Sequence, residues 1–209
     1  MAEKSTGISS GYLQLDKILN DLPLDLRSHS LRARTKAIEL AEAHGCDVFR
    51  AGLSALSHDI ARLIDPSELY ERALNYGISI HPVEQQNKVL LHGPVGAEIL
   101  RRECGVEDQE IIQAVWWHST FNSGLGSIAK LTFLADKLDP NKAARFSDMD
   151  VKHSMAFKSL DTAILSFIDD DISRMLDMGI QIHPASIEAR NWLLNDVDNF
   201  REVVTTEPV

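Results

Sequence analysis

The chain has 209 residues, 44% hydrophobic and 25% charged, with 11 glycines and 7 prolines, which excludes disordered, collagen-like and low-complexity classes and makes a single domain the default. Its 21 Lys and Arg against 31 Asp and Glu give a formal charge of -10. That balance repels a phosphate backbone and argues against nucleic acid as a partner, while a small phosphorylated molecule could still be accepted beside a local cation. Cys46 and Cys104 lack CxxC spacing, so they read as core thiols in a reducing compartment.

Residues 1–24 read as an N-terminal extension, with no apolar stretch behind a basic start and hence no secretory signal. The longest uncharged run, Ile111 to Ala129, is broken by Gln113, His118, Ser119 and Thr120, so no membrane partner is expected. A cytoplasmic location follows. Leu26, Ala33, Ala37, Leu40 and Ala41 recur at helix spacing before Gly45, and Ala51, Ala55, Leu56, Ile60 and Leu63 do so before Pro66. Residues 66–91 are the least regular stretch and read as a lid or a packed loop. Pro94 sits just inside the start of a third helix that ends near Gly105. A fourth runs from about Asp108 to Trp117, and a fifth through Ile128, Leu131, Leu134 and Ala135 stops before Asp139-Pro140. The sixth and longest is expected from about Met149 to Met178, with Gly179 as its C′ residue. A last amphipathic segment from Ser186 to about Val203 closes a domain spanning 25–200, followed by a tail over 201–209. No alternating pattern is long enough for a strand, so the predicted class is all-α, a helical bundle.

One echo stands out. Gly77-Ile78-Ser79-Ile80-His81-Pro82 and Gly179-Ile180-Gln181-Ile182-His183-Pro184 agree at five of six positions, without the flanking similarity of a repeat architecture. Shared turn chemistry explains it best.

His29, His58 with Asp59, His92, His118 and Asp136 lie on or beside different predicted helices, so they converge only if those helices pack around one centre, as bundles do to build metal sites. Asp59 interrupts an otherwise apolar helix; a buried charge there must be paired or bind a metal. Successive helix residues diverge by about 100°, so His58 and Asp59 can share an ion only if the helix meets it obliquely or ends there. Asp136 near a helix C-terminus is opposed by the macrodipole and needs a cation, for which Lys137 and a metal both qualify. Imidazole with carboxylate suits Zn, Mn or Fe, in a set of one or two ions with open positions for hydrolysis. His44 and His153 read as surface residues, Trp116 and Trp117 as core and rim, and Asp169-Asp170-Asp171 as a solvated face.

The order His29…His58-Asp59…Asp136 resembles the HD-domain metal phosphohydrolases. More narrowly, Leu91-His92-Gly93-Pro94, Trp117-His118-Ser119-Thr120 and Leu134-Ala135-Asp136-Lys137-Leu138-Asp139-Pro140 look like the YqeK family of symmetrical dinucleoside tetraphosphatases, over roughly residues 25 to 192. The resemblance implies an HD-domain fold, cleavage of diadenosine tetraphosphate to two ADP, and iron as the metal, with His29, His58, Asp59 and Asp136 as its ligands. It also implies that Asp59, His92 and His118 act in catalysis. Substrate contacts would come from His29, Asp59, Ile60, Ala61, Arg62, His92, His118, Ser119, Asp136, Lys142 and Arg145, and from Ile182-His183-Pro184-Ala185-Ser186. Arg62 stands where the family usually has Lys, and Asn141-Lys142 where Gly-Arg is common, so substrate choice is the more open question. Another nucleotide (a monophosphate, a polyphosphate or an alarmone) is the alternative substrate, and a non-catalytic nucleotide-binding module is the non-enzyme alternative. A homodimer fits the general prevalence of symmetric assemblies, with no residue specifying its interface.

Overall fold

The computed structural model describes residues 12–205, with side chains described to residue 195. Eleven helices and two short 3-10 turns make up its regular structure, with no strand among the described residues. The helices are α1 (Leu13–Asp21), α2 (Leu24–Ala43), α3 (Val48–Ser57), α4 (Pro66–Tyr76), α5 (Pro82–Gln86), α6 (His92–Arg102), α7 (Gln109–Trp117), α8 (Ser127–Lys137), α9 (Met149–Ala156), α10 (Leu160–Asp177) and α11 (Pro184–Thr205). The 3-10 turns cover Lys88–Leu91 and Pro140–Arg145.

Local chemistry sets most of these boundaries. Asp47 caps α3 by accepting from the backbone N–H groups of Phe49 and Arg50 at 2.9 and 3.0 Å. Asp65 caps α4 ahead of Pro66, and Asp108 caps α7. Each cap satisfies amide groups that the helix itself leaves open. Gly77 ends α4 at φ 76°, a left-handed turn that glycine adopts without a Cβ penalty.

Five expectations change. The segment from Met149 to Met178 is two helices, because Ser159 leaves helical geometry and its hydroxyl caps α10 at the Thr162 N–H. Residues 66–91 are ordered as α4, α5 and a 3-10 turn rather than a loop. Within residues 1–24, α1 docks firmly: Leu15 and Leu19 are fully buried in the same core cluster as Leu56 and Leu100, worth about 1.5–3 kcal/mol each. The second predicted helix stops at Ser57, short of Leu63, and residues 58–63 continue as turns closed by bonds such as Arg62 N–H to the Asp59 carbonyl. The C-terminal backbone is helical to Thr205, so the expected tail starts inside α11, and residues 206–209 lie outside the described residues.

The core has two parts. One gathers apolar residues of α2, α3 and α8 with α10 and α11, around Phe121, Phe133 and Phe167; the other joins α1, α4 and α6 to α3 and α7. Helix α3 serves both, presenting Ala51 and Ala55 to the first and Leu53 and Leu56 to the second. Its C-terminus therefore emerges between two packed layers, which is where His58 and Asp59 sit. Cys104 is a core thiol whose pKa burial pushes up to about 11, whereas Cys46 is only half-buried.

Candidate metal centre

Helix α3 ends at the site. The helix stops at Ser57 and the chain continues in turns, and at this end His58 Nε2 and Asp59 Oδ2 meet 3.3 Å apart. A buried bond between Ser54 Oγ and Thr132 Oγ1, 2.7 Å long, locks α3 to α8 one turn earlier. Four residues on from that pair stand His58 and Asp136, whose Nε2 and Oδ1 atoms are 3.2 Å apart. The i, i+4 spacing on both helices carries the register of the polar lock into the site. His118 caps the end of α7, and His92 opens α6. Gly93 lets α6 and α7 approach: a Cβ there would stand 2.6 Å from the Trp116 carbonyl oxygen.

The ring orientations follow from what each Nδ1 touches. His58 Nδ1 lies 2.7 Å from the Ala55 carbonyl, His92 Nδ1 2.5 Å from that of Val89, and His118 Nδ1 2.7 Å from that of Val115. A carbonyl only accepts, so each Nδ1 carries the hydrogen and each Nε2 of a neutral ring presents a lone pair. His29 Nδ1 donates in the same way to Asp139 Oδ2 at 2.5 Å.

These lone pairs then converge. His29 Nε2 and His58 Nε2 are 3.1 Å apart, and His29 Nε2 is 3.0 Å from Asp136 Oδ1. Asp59 divides its oxygens: Oδ2 stands 3.3 Å from His58, while Oδ1 stands 3.1 Å from His92 and 3.4 Å from His118. All of these residues except His29 are at most 7% exposed, and the His29 side chain is 12% exposed. Facing lone pairs and carboxylates at such distances repel unless a cation or a proton sits among them. The donor atoms of His29, His58, Asp59 and Asp136 all lie within 4.8 Å of one another, as do those of Asp59, His92 and His118. The first set fits a divalent metal of the imidazole-and-carboxylate type.

Without the metal the charges reveal the same demand. Burial alone would lower the His58 pKa, yet Asp59 and Asp136 override it and lift it to about 10. Burial wins at His118, which falls to about 4 and stays neutral. Burial would raise both carboxyls, but the charge on His58 with bonds from the surrounding histidines holds Asp59 well below its usual range. Lys137 and Lys142 do the same for Asp136. Lys137 meets Asp136 Oδ2 at 2.8 Å; Lys142 lies against Oδ1, the oxygen that also faces His29 and His58.

A cavity of about 390 Å³ opens beside the cluster. It brings together His29, Asp59, His92, His118, Ser119 and Asp136 with the cations Arg62, Lys142 and Arg145. Ile60 and Ala61, expected beside the substrate, instead pack in the core against Gly96 and are 6% and 0% exposed. Along 182–186 the structure shows capping rather than an open wall. His183 Nδ1 accepts from the Ala185 N–H, and Ser186 Oγ donates to the Thr120 carbonyl.

The echoed motif has a shared structural role. His81 caps α5 and His183 caps α11, each followed by Pro at the next position, and the two rings meet edge-on at 5.0 Å. Three groups escaped the sequence reading. Asp139 holds His29, which stands 110 residues away in the chain; Asp171, expected on a solvated face, is 9% exposed and lines the cavity; and Arg174 lines it too.

Helices packed around a buried His/Asp centre define an HD domain, and the HD family model matches residues 26–141, more than half of the chain. The crystal structure of a protein described as a predicted HD superfamily hydrolase involved in NAD metabolism, from Clostridium acetobutylicum, superposes with a TM-score of 0.84. It is 27% identical, covering 91% of this chain and 100% of that one. Among curated proteins, the symmetrical bis(5'-nucleosyl)-tetraphosphatase of Halalkalibacterium halodurans is 31% identical over 79% of this chain and 87% of its own length. That of Bacillus subtilis is 29% identical over 80% and 88%. The chain therefore belongs to the HD-domain family of symmetrical bis(5'-nucleosyl)-tetraphosphatases. No helix among the described residues is long and apolar enough to cross a membrane.

Proposed function

We propose that this protein hydrolyses diadenosine tetraphosphate symmetrically to two ADP in a metal-dependent reaction. The observation that carries the reading is the junction of a complete His29, His58, Asp59, Asp136 ligand set with a cation-lined cavity in a chain of net charge -10. Those four residues would hold the metal, iron by family likeness and manganese as the next fit. When bound, it supplies Lewis acidity that polarises a phosphoryl oxygen and lowers the pKa of water towards neutrality.

The chain's own groups do the rest. Lys142, against Asp136 Oδ1 and lining the cavity, offers its ammonium to the phosphates. Arg62 and Arg145, both exposed at the cavity, neutralise the remaining charge. Ser119 Oγ, 3.3 and 3.2 Å from the Nε2 atoms of His92 and His118, is the hydroxyl placed to donate to a phosphoryl oxygen, with the two imidazoles orienting it. Asp59, with its carboxyl held well below the usual range, is a weak base, and its part is to hold the metal rather than to take a proton. Positioning and charge neutralisation then supply most of the rate, as in other phosphoryl transfers. Product analysis by chromatography tests this: ADP alone from the metal-loaded protein, lost in His58→Ala, is expected. ATP with AMP, or turnover of a nucleoside monophosphate in place of the dinucleotide, would overturn it.

The division of Asp59 favours a second reading, in which its Oδ1 shares a further ion with His92 and His118. The neutral, lone-pair-presenting form of His118 suits a ligand. Metal content of two ions per chain falling to one in His92→Ala supports this, and one ion in both refutes it. The substrate is a small nucleotide under either reading, and a cytoplasmic location suits it.

A further inference from the structure

Helix α10 places Asp171, Arg174 and Met175 on one face by i, i+3, i+4 spacing, and all three line the cavity that holds His92 and Asp136. Asp171 anchors two guanidinium groups through a single oxygen: Arg145 donates to Oδ1 at 2.8 Å and Arg174 at 3.1 Å. One carboxylate thus faces two cations, leaving a positive surplus at this wall.

Arg174 is also under-used. Its Nε atom is buried with no hydrogen-bond partner among the described residues. Its other contact is to the sulfur of Met178 at 3.6 Å, a weak acceptor. A guanidinium carries five donors in a planar fork suited to phosphate oxygens. Around the cavity as a whole, the cations Arg62, Lys137, Lys142, Arg145 and Arg174 face the carboxylates of Asp59, Asp136 and Asp171. With one divalent ion bound, the surplus reaches about four positive charges, against about four negative ones on a tetraphosphate bridge. Arg174 supplies one of them.

We propose that Arg174 is a phosphate-binding residue of this cavity, held ready by Asp171 and gripping the polyphosphate bridge of the substrate. The inference rests on the dinucleoside polyphosphate reading for its substrate, but its test does not. The probe is inorganic tripolyphosphate, titrated calorimetrically into the metal-loaded full chain, with AMP as the single-phosphate control. Arg174→Ala and Arg174→Gln should each weaken tripolyphosphate roughly 10-fold, in line with loss of a charged hydrogen bond at a partly exposed site. Arg174→Lys should recover part of the loss, and AMP affinity should change far less. In steady-state hydrolysis of diadenosine tetraphosphate the same factor should appear in KM, with kcat nearly unchanged. Tripolyphosphate binding within twofold of wild type in both the Ala and Gln variants, with unaltered thermal melts, overturns the proposal. If wild type fails to turn over the dinucleotide while tripolyphosphate binding still depends on Arg174, the substrate reading falls and this one stands. If turnover is intact and insensitive to Arg174, the reverse holds.

Discussion

Replacing Asp139 by Asn tests whether the histidine orientations are what make the cluster a metal site. Asp139 is 2% exposed. Its Oδ2 accepts from His29 Nδ1 at 2.5 Å and from Arg32 at 2.8 Å, while Oδ1 accepts from the Asn141 backbone N–H at 2.8 Å. Every one of these neighbours is a donor. An asparagine must turn its NH₂ towards one side: facing Asn141 it sets donor against donor, and facing His29 it forces Nδ1 to accept. In the second case the hydrogen moves to Nε2, the atom that points at His58 and Asp136, and the lone pair needed for a metal disappears. Removing such an orienting partner costs about 10–100-fold in metal affinity, or about 1.4–2.8 kcal/mol. Competition between the apo protein and a chromophoric chelator for Mn²⁺ measures it directly. Affinity within threefold of wild type, in a variant with an unchanged circular dichroism spectrum, would refute the reasoning.

Other outcomes follow from the same geometry. In the metal-free protein, the raised His58 pKa contributes stability that is complete below about 6.5 and is lost as pH climbs towards about 10. The lowered His118 pKa contributes stability present above about 6.5 and lost as pH falls towards about 4. Apo Tm should therefore peak near pH 6–7, and Mn²⁺ should abolish the alkaline decline because the metal takes the place of the His58 proton; an apo Tm that climbs steadily to pH 9 contradicts this. Gly93→Ala must push α6 off the Trp116 carbonyl, costing about 1–3 kcal/mol as over-packing does and separating His92 from His118. Denaturant titration reads the first effect, and an unchanged midpoint rules out the close approach. Thr132→Val leaves Ser54 without its cross-helix partner, and should lower stability by about 1–2 kcal/mol while weakening metal binding. Loss of stability with full metal affinity would show that the lock does not set the register of the site.

The fold class and the members of the buried His/Asp cluster were legible because their signals are local or chemically conspicuous. Pro94 and Gly105 bracket α6, and a carboxylate in the apolar run around Asp59 demands a partner wherever the helix goes. The broken sixth helix was also within reach: Ser159 stands two residues ahead of Asp161, and a Ser before an acidic first turn is a start signal. It was hidden by apolar periodicity on both sides, which reads the same for one helix as for two collinear ones. Asp139 was visible only as the residue before Pro140, since nothing in its neighbourhood encodes a histidine 110 positions earlier.

The acidic stretch shows where composition misleads. Asp169, Asp170 and Asp171 are equivalent as letters, yet they leave α10 in three directions. Asp169 pairs with Arg190 and Asp170 with Lys152, while Asp171 turns into the cavity between Arg145 and Arg174. A helix face cannot be assigned as solvated from charge alone when the opposing wall supplies guanidinium groups to match it. The same principle governs the whole site. An acidic chain repels an extended phosphate backbone at long range, but within the cavity five cations outnumber three carboxylates. Net charge therefore sets what approaches the protein, and the local surplus sets what it keeps. A short, densely charged phosphate bridge satisfies the second condition without the extended charge that the first one repels.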